Sequence, residues 1–128
     1  MKQTAGPSQR QLRAGELIRH ALAEVFLRGE TSDPVLESFG VSVHEVRMSP
    51  DLKIATAFVR TLIAGVDARA LEALNRNKKY IRGLLAQKVE MRFMPEVRYR
   101  IDTSLDYASK IDELLHRPEV ARDLKQDD

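Results

Sequence analysis

The 128-residue chain predicts an α+β domain, a small three-stranded sheet with helices packed on one face. Two patterns and a balance predict it. Apolar residues recur at helical spacing in three stretches, and β-branched residues alternate with polar ones in three others. Apolar types make up 43% and charged types 31%, which suits one folded domain and excludes a wholly disordered chain.

Residues 1–9 contain Gly6, Pro7 and Ser8 and read as a flexible N-terminus. From Arg10 to Arg28, Leu17, Ile18, Ala21, Leu22, Val25 and Phe26 share one helical stripe, and Gly29 is placed to end it. The segment from Glu30 to Gly40 reads as a connection, with Asp33-Pro34 marking a turn. Residues 41–48 are strand-like, and their alternation slips between Val43 and Val46, which predicts a bulge. Ser49-Pro50-Asp51 is a tight turn into a second strand over 52–62, with Ile54, Thr56, Phe58 and Leu62 on one face. Ala55 and Ala57 lie on the other face, where a helix can pack closely.

Asp67 reads as the N-cap of a helix carrying Leu71, Leu74, Ile81, Leu84 and Leu85. The interval NRNKKY between Leu74 and Ile81 allows either one continuous helix or a break near Asn77, a residue that favours caps over helix interiors. Residues 89–101 alternate again, Val89, Met91, Phe93, Val97, Tyr99 and Ile101 against Glu90, Arg92, Glu96, Arg98 and Arg100. They predict a third strand, with Pro95 marking an edge or an interruption. Ser104 reads as the cap of a last helix carrying Leu105, Ala108, Ile111, Leu114 and Leu115. The domain is expected to occupy 10–117, with 118–128 a polar, acidic tail.

With no cysteine there is no disulfide framework, thiolate nucleophile or cysteine-ligated metal. His20, His44 and His116 are isolated, the carboxylates are scattered, and no phosphate-loop motif occurs. The chain is therefore not expected to be an enzyme or to hold a metal or cofactor. No apolar run is long enough to cross a bilayer, and the N-terminus lacks a secretory pattern, so a cytoplasmic protein without a membrane partner is expected.

The net charge of +2 is small, but its distribution is uneven. Residues 69–100 carry nine basic and three acidic groups, whereas residues 101–128 carry four basic and eight acidic. Such a local positive field suits a polyanion. Arg76, Lys78, Lys79 and Arg82 cluster about the candidate break; Tyr80 beside them is suited to base stacking or to burial. Lys88, Arg92, Arg98 and Arg100 follow, and Arg10, Arg13 and Arg19 lie on the first helix. These eleven are the candidate RNA-binding residues. Arg98 and Arg100 face either RNA or the neighbouring Glu90 and Glu96.

The segments RAGELIRHALAEVF, VHEVRMSPDLKIATAFV, YIRGLLAQKVEMRFMPEVRYRID and SLDYASKIDELL, in that order, resemble the bacterial ribosome-binding factor A family. The resemblance runs from about Arg10 to Leu115. It implies a KH-like fold of the type II arrangement, with a helix–kink–helix in place of the Gly-x-x-Gly loop. It also implies binding to the small (30S) ribosomal subunit and its 16S rRNA, late subunit maturation, processing of the rRNA 5′ region and adaptation to cold. A monomer is expected, and a maturation GTPase is the implied partner in release. The family's Ala-x-Gly kink corresponds to Asn77, Lys78 and Lys79, so both the alanine and the glycine are absent here. The alternatives are a general single-stranded RNA-binding module, or a protein–protein adaptor using the exposed sheet face.

Overall fold

The computed structural model describes residues 6–104. Helix α1 spans Gln9–Leu27, short helix α2 Pro34–Phe39, strand β1 Val41–Met48 and strand β2 Ile54–Thr61. Helices α3 (Asp67–Arg76) and α4 (Lys78–Lys88) follow, then strand β3 (Glu96–Ile101). The sheet order is β1-β2-β3, antiparallel between β1 and β2 and parallel between β2 and β3, so the three-stranded sheet is mixed. The parallel pair requires a crossover, and α3 with α4 supply it.

Helix α1 starts with a capping box: Ser8 Oγ accepts from the Gln11 N–H, and the Gln11 side chain accepts from the Ser8 N–H. It ends as expected at Gly29, whose φ of +64° is the left-handed conformation a helix stop requires. Its buried stripe of Ile18, Ala21, Leu22 and Val25 lies against the sheet. Leu17, expected in that stripe, is instead half-exposed at its edge. The core joins these side chains to Ala55, Ala57 and Val59 of β2, Leu74 of α3, Ile81 and Leu85 of α4, and Val97 and Tyr99 of β3.

The bulge in β1 falls where the alternation slips. Val43 pairs with Val59 and Glu45 with Phe58, leaving His44 as the extra residue. In β2 the small Ala55 and Ala57 do lie under the helices. Ile54, Thr56 and Phe58 point to the opposite, part-covered face.

Four local expectations are corrected. Asp33-Pro34 opens α2 rather than a turn: Asp33 Oδ1 accepts from the Val35 and Leu36 N–H groups, and Pro34 takes a first-turn position that needs no donor. Strand β2 stops at Thr61, and Leu62 is left 79% exposed. Val66, not Asp67, occupies the cap position of α3, because the Asp67 carboxylate is taken by the Thr61 N–H and hydroxyl and by Arg60. The third strand is half as long as its alternation suggests. Residues 89–95 form a loop, and pairing with β2 begins only at Glu96, past Pro95, which has no N–H to give a ladder. The helix expected from Ser104 and the tail over 118–128 lie outside the described residues, apart from Ser104 itself.

Two glycines separate packing from propensity. A Cβ on Gly15 would sit 2.5 Å from the Val46 carbonyl oxygen, where α1 crosses β1. A Cβ on Gly83, inside α4, would meet nothing within 4 Å. Gly15→Ala is expected to lower the stability measured in urea by about 1–2 kcal/mol, the overpacking cost exceeding the helix-propensity gain. Gly83→Ala is expected to raise it by about 0.5–1 kcal/mol. The same sign for both would contradict this packing.

Candidate nucleic-acid interface

The segment between Leu74 and Ile81 does break. Helix α3 ends at Arg76, Asn77 takes φ −100° and ψ 13°, and α4 begins at Lys78. Those angles lie in the bridge region, open to ordinary L-residues, so no glycine is needed. The Asn77 amide completes the joint. Its Nδ2 donates to Ala73 O at 2.8 Å and to Asp33 Oδ2 at 2.7 Å. Arg76 Nη2 reaches the same Asp33 oxygen at 3.4 Å. The Asn77 amide, then the α2 N–H groups and Arg76, hold the Asp33 carboxyl below its usual range. One aspartate thus caps α2 with one oxygen and ties the break with the other.

Helix α4 starts with no side-chain cap and no acidic residue in its first turn, where Lys78 and Lys79 stand. Cations at a helix N-terminus add to the positive end of the dipole, an arrangement that costs stability and favours an anion.

The eleven candidate cations divide by what they touch. Arg19 forms a two-bond pair with Glu16, both contacts at 2.9 Å. Lys78 reaches Glu96 at 3.4 Å, and Arg98 binds the same carboxylate at 3.1 Å. Arg98 therefore pairs with Glu96. These two cations, Arg98 first, hold the Glu96 carboxyl below its usual range. Lys88, only 20% exposed, lies between Glu30 at 3.1 Å and Glu24 at 3.5 Å. Arg82 turns to the chain itself, donating from Nε to Pro95 O at 3.1 Å and from Nη2 to Met94 O at 2.6 Å. Arg92 lies over the Phe93 ring, 5.8 Å from its centroid. Arg10, Arg13, Lys79 and Arg100 are exposed and have no ion-pair partner among the described residues. Tyr80 is exposed rather than buried.

The residues do not form one patch. Arg98 and Arg100 stand on one face of the sheet, whereas α1 and α4 cover the other face and touch each other. On the face that carries Arg98 and Arg100, the register sets Thr56 between Arg47 and Arg98, and Phe58 beside Arg100, around a depression of about 350 Å³. Arg47, absent from the sequence reading, covers Phe58 at 4.9 Å. Only the strand register brings this pair together, because they lie eleven positions apart in the chain.

His44 and Asp102 are a second pairing that the sequence did not disclose. Ser104 donates its hydroxyl at 2.7 Å and its N–H at 3.0 Å to Asp102 Oδ1, and His44 Nδ1 lies 2.7 Å from Oδ2. An ionised carboxylate only accepts, so the imidazole is the donor. These donors, Ser104 first, pull the Asp102 carboxyl down to about 2. Serine and histidine both bind the carboxylate rather than each other, so these three side chains are not lined up as a relay from carboxylate through imidazole to hydroxyl. Among the described residues no group of three or more His, Asp or Glu could hold a metal, and no helix is long and apolar enough to cross a membrane.

Comparison with known proteins gives one consistent result. The family model described as Ribosome-binding factor A matches residues 10–115. A ribosome-binding factor A from Rhizobium leguminosarum bv. trifolii is 54% identical over 125 residues, covering 97% of this chain and 93% of that one. A second, from a Methylobacterium species, is 53% identical over 128 residues, covering 98% and 92%. The crystal structure of ribosome-binding factor A from Thermus thermophilus superposes with a TM-score of 0.60 at 27% identity, covering 71% of this chain and 94% of that one. A homology model of the Thermus factor, fitted into an electron cryomicroscopy map of a 30S complex, superposes at 0.55 and 26% identity, covering 70% and 91%.

The Asp102 cluster has a pH signature. A carboxyl held at about 2 in the fold, against about 4 when unfolded, stabilises fully above pH 4 and loses that contribution as pH falls towards 2. Asp102→Asn is expected to be less stable than wild type at pH 6 and to show a shallower acid limb between pH 4 and 2 in urea titrations. Parallel acid limbs would contradict the assignment.

Proposed function

The chain belongs to the ribosome-binding factor A family, and we propose that it binds the small ribosomal subunit through 16S rRNA. There it assists late maturation and processing of the rRNA 5′ region. It acts in the cytoplasm as a monomer, changes no covalent bond, and matters most in the cold, with a maturation GTPase assisting its release. A relative captured in a 30S complex supports the choice of partner.

The observation that carries the reading is the start of α4. A helix whose first turn holds two lysines and no carboxylate accepts an electrostatic cost that a phosphate would offset. Lys79 there has no internal partner among the described residues, so its charge is available to rRNA. Arg10 and Arg13, on α1, and Arg100, on the sheet, are available in the same sense. Lys88 and Arg19 are engaged within the fold and serve structure first. Polar and charged contacts of this kind follow the RNA backbone and fix orientation without reading bases.

The test separates binding from stability. Lys79→Glu replaces a cation at a helix N-terminus with an anion, so it is expected to stabilise the fold by about 0.3–1 kcal/mol. The same change is expected to weaken co-sedimentation with free small subunits in sucrose gradients. Wild-type co-migration is expected at about 50 mM salt and to be largely lost by about 200 mM, as release of counterions requires. Arg13→Glu and Arg100→Glu, made singly, show which face meets the subunit. A wild-type chain that stays in the soluble fractions at low salt, with free subunits in excess, would refute the proposal and leave the adaptor reading.

A further inference from the structure

The loop over 89–95 holds out an aromatic ring that the alternation of the sequence assigns to the core. Phe93 is 76% exposed, whereas Val89 and Pro95 of the same parity are buried. Met91 and Met94 pack against the core. The loop is fixed at several points. The Val89 N–H donates to Leu85 O at 2.9 Å, and the Glu96 N–H donates to Lys53 O at 2.9 Å. Arg82 clamps the carbonyls of Met94 and Pro95 from α4. Such bonds to a charged donor are stronger than neutral ones. The exposed tip, Arg92 and Phe93, therefore rises from an anchored backbone.

Single exposed apolar residues are common and need no explanation. Phe93 differs in three respects. Its backbone neighbours are held in place, Arg92 lies over its ring, and it stands in the stretch with the largest basic excess. Phe26, Phe39 and Phe58 are part-covered, the latter two by Arg69 and Arg47, and Tyr99 is buried. The exposed rings among the described residues, Tyr80 and Phe93, both fall between residues 69 and 100. Aromatic rings beside cations are the means by which proteins hold unpaired bases, the ring stacking on the base and the cation meeting its phosphate.

We propose that Phe93 stacks on an unpaired base of single-stranded rRNA, with Arg92 at the adjoining phosphate and Arg82 the positioning residue that holds the loop. This rests on the small-subunit reading above and adds a base contact to it. Arg82 then acts through the protein backbone, and its charge alone does not replace it.

The experiment uses the full chain bound to purified free small subunits, irradiated at short wavelength and digested with ribonuclease and trypsin. A nucleotide adduct is expected on the peptide Phe93–Arg98. Phe93→Leu keeps an apolar side chain without a stacking face, and is expected to weaken subunit binding about 5- to 10-fold with an unchanged melting temperature. Phe93→Tyr is expected to bind within about 2-fold of wild type. Arg82→Lys keeps the charge and loses the two-carbonyl fork, and is expected to lose the adduct. No adduct in the wild-type complex, or Phe93→Leu binding as wild type does, overturns the stacking role while wild-type co-sedimentation leaves the subunit reading standing. Failure of wild-type binding removes both.

Discussion

The change of direction at Asn77 is the constraint on which the arrangement depends. A straight helix over residues 67–88 would be about 33 Å long at 1.5 Å per residue, whereas the longest strands, of eight residues, span about 27 Å. The break folds that length back over the sheet. Helix α3 lies against α2, β2 and β3, and α4 lies against α1 and β3, so Leu74, Ile81 and Leu85 all reach full burial. Asp33 makes the joint specific. By capping α2 and accepting from Asn77, it makes the 33–40 segment and the break one unit.

The break also determines which charges remain for a partner. Where α4 begins, the dipole and two lysines point the same way, and Lys78 is partly neutralised by Glu96 while Lys79 is not. Farther along α4, Arg82 and Lys88 are drawn into the fold. The basic excess of residues 69–100 thus overstates the free charge, because pairing within the molecule takes up Arg76, Lys78, Lys88 and Arg98. What is left is a few exposed cations and two exposed rings, a surface suited to a shaped RNA more than to a uniform polyanion.

Much of this was legible in the chain, for identifiable reasons. Gly29, the β1 slip and the Ala55/Ala57 pair each announce a local geometry through a local property: left-handed backbone, broken alternation and small volume. The motif spacing carried the family. Alternation misled over 89–95, because period two records which side chains are apolar and not whether the backbone finds a partner strand. Asp33-Pro34 was ambiguous because a turn and a helix N-terminus want the same residues. The Asp33–Asn77, His44–Asp102 and Arg47–Phe58 contacts were not legible at all. Each joins elements that only the assembled sheet and crossover bring within reach. For Asn77 the available signal was its preference for caps over helix interiors, which marks the break and not the aspartate that holds it.

A double-mutant cycle on Asp33 and Asn77 tests that support most directly. Unfolding in urea would be measured for wild type, Asp33→Ala, Asn77→Ala and the double variant. The bond joins an ionised acceptor to a part-buried amide, so the two sites should couple by about 1–2 kcal/mol in the stabilising sense. Both single changes should then cost stability, and the second should cost much less once the first is made. Additivity to within about 0.3–0.5 kcal/mol would mean the contact contributes nothing of its own. The break would then have to be held by the packing of Leu74 and Ile81 alone, and the account of how α4 and its lysines are placed would be wrong.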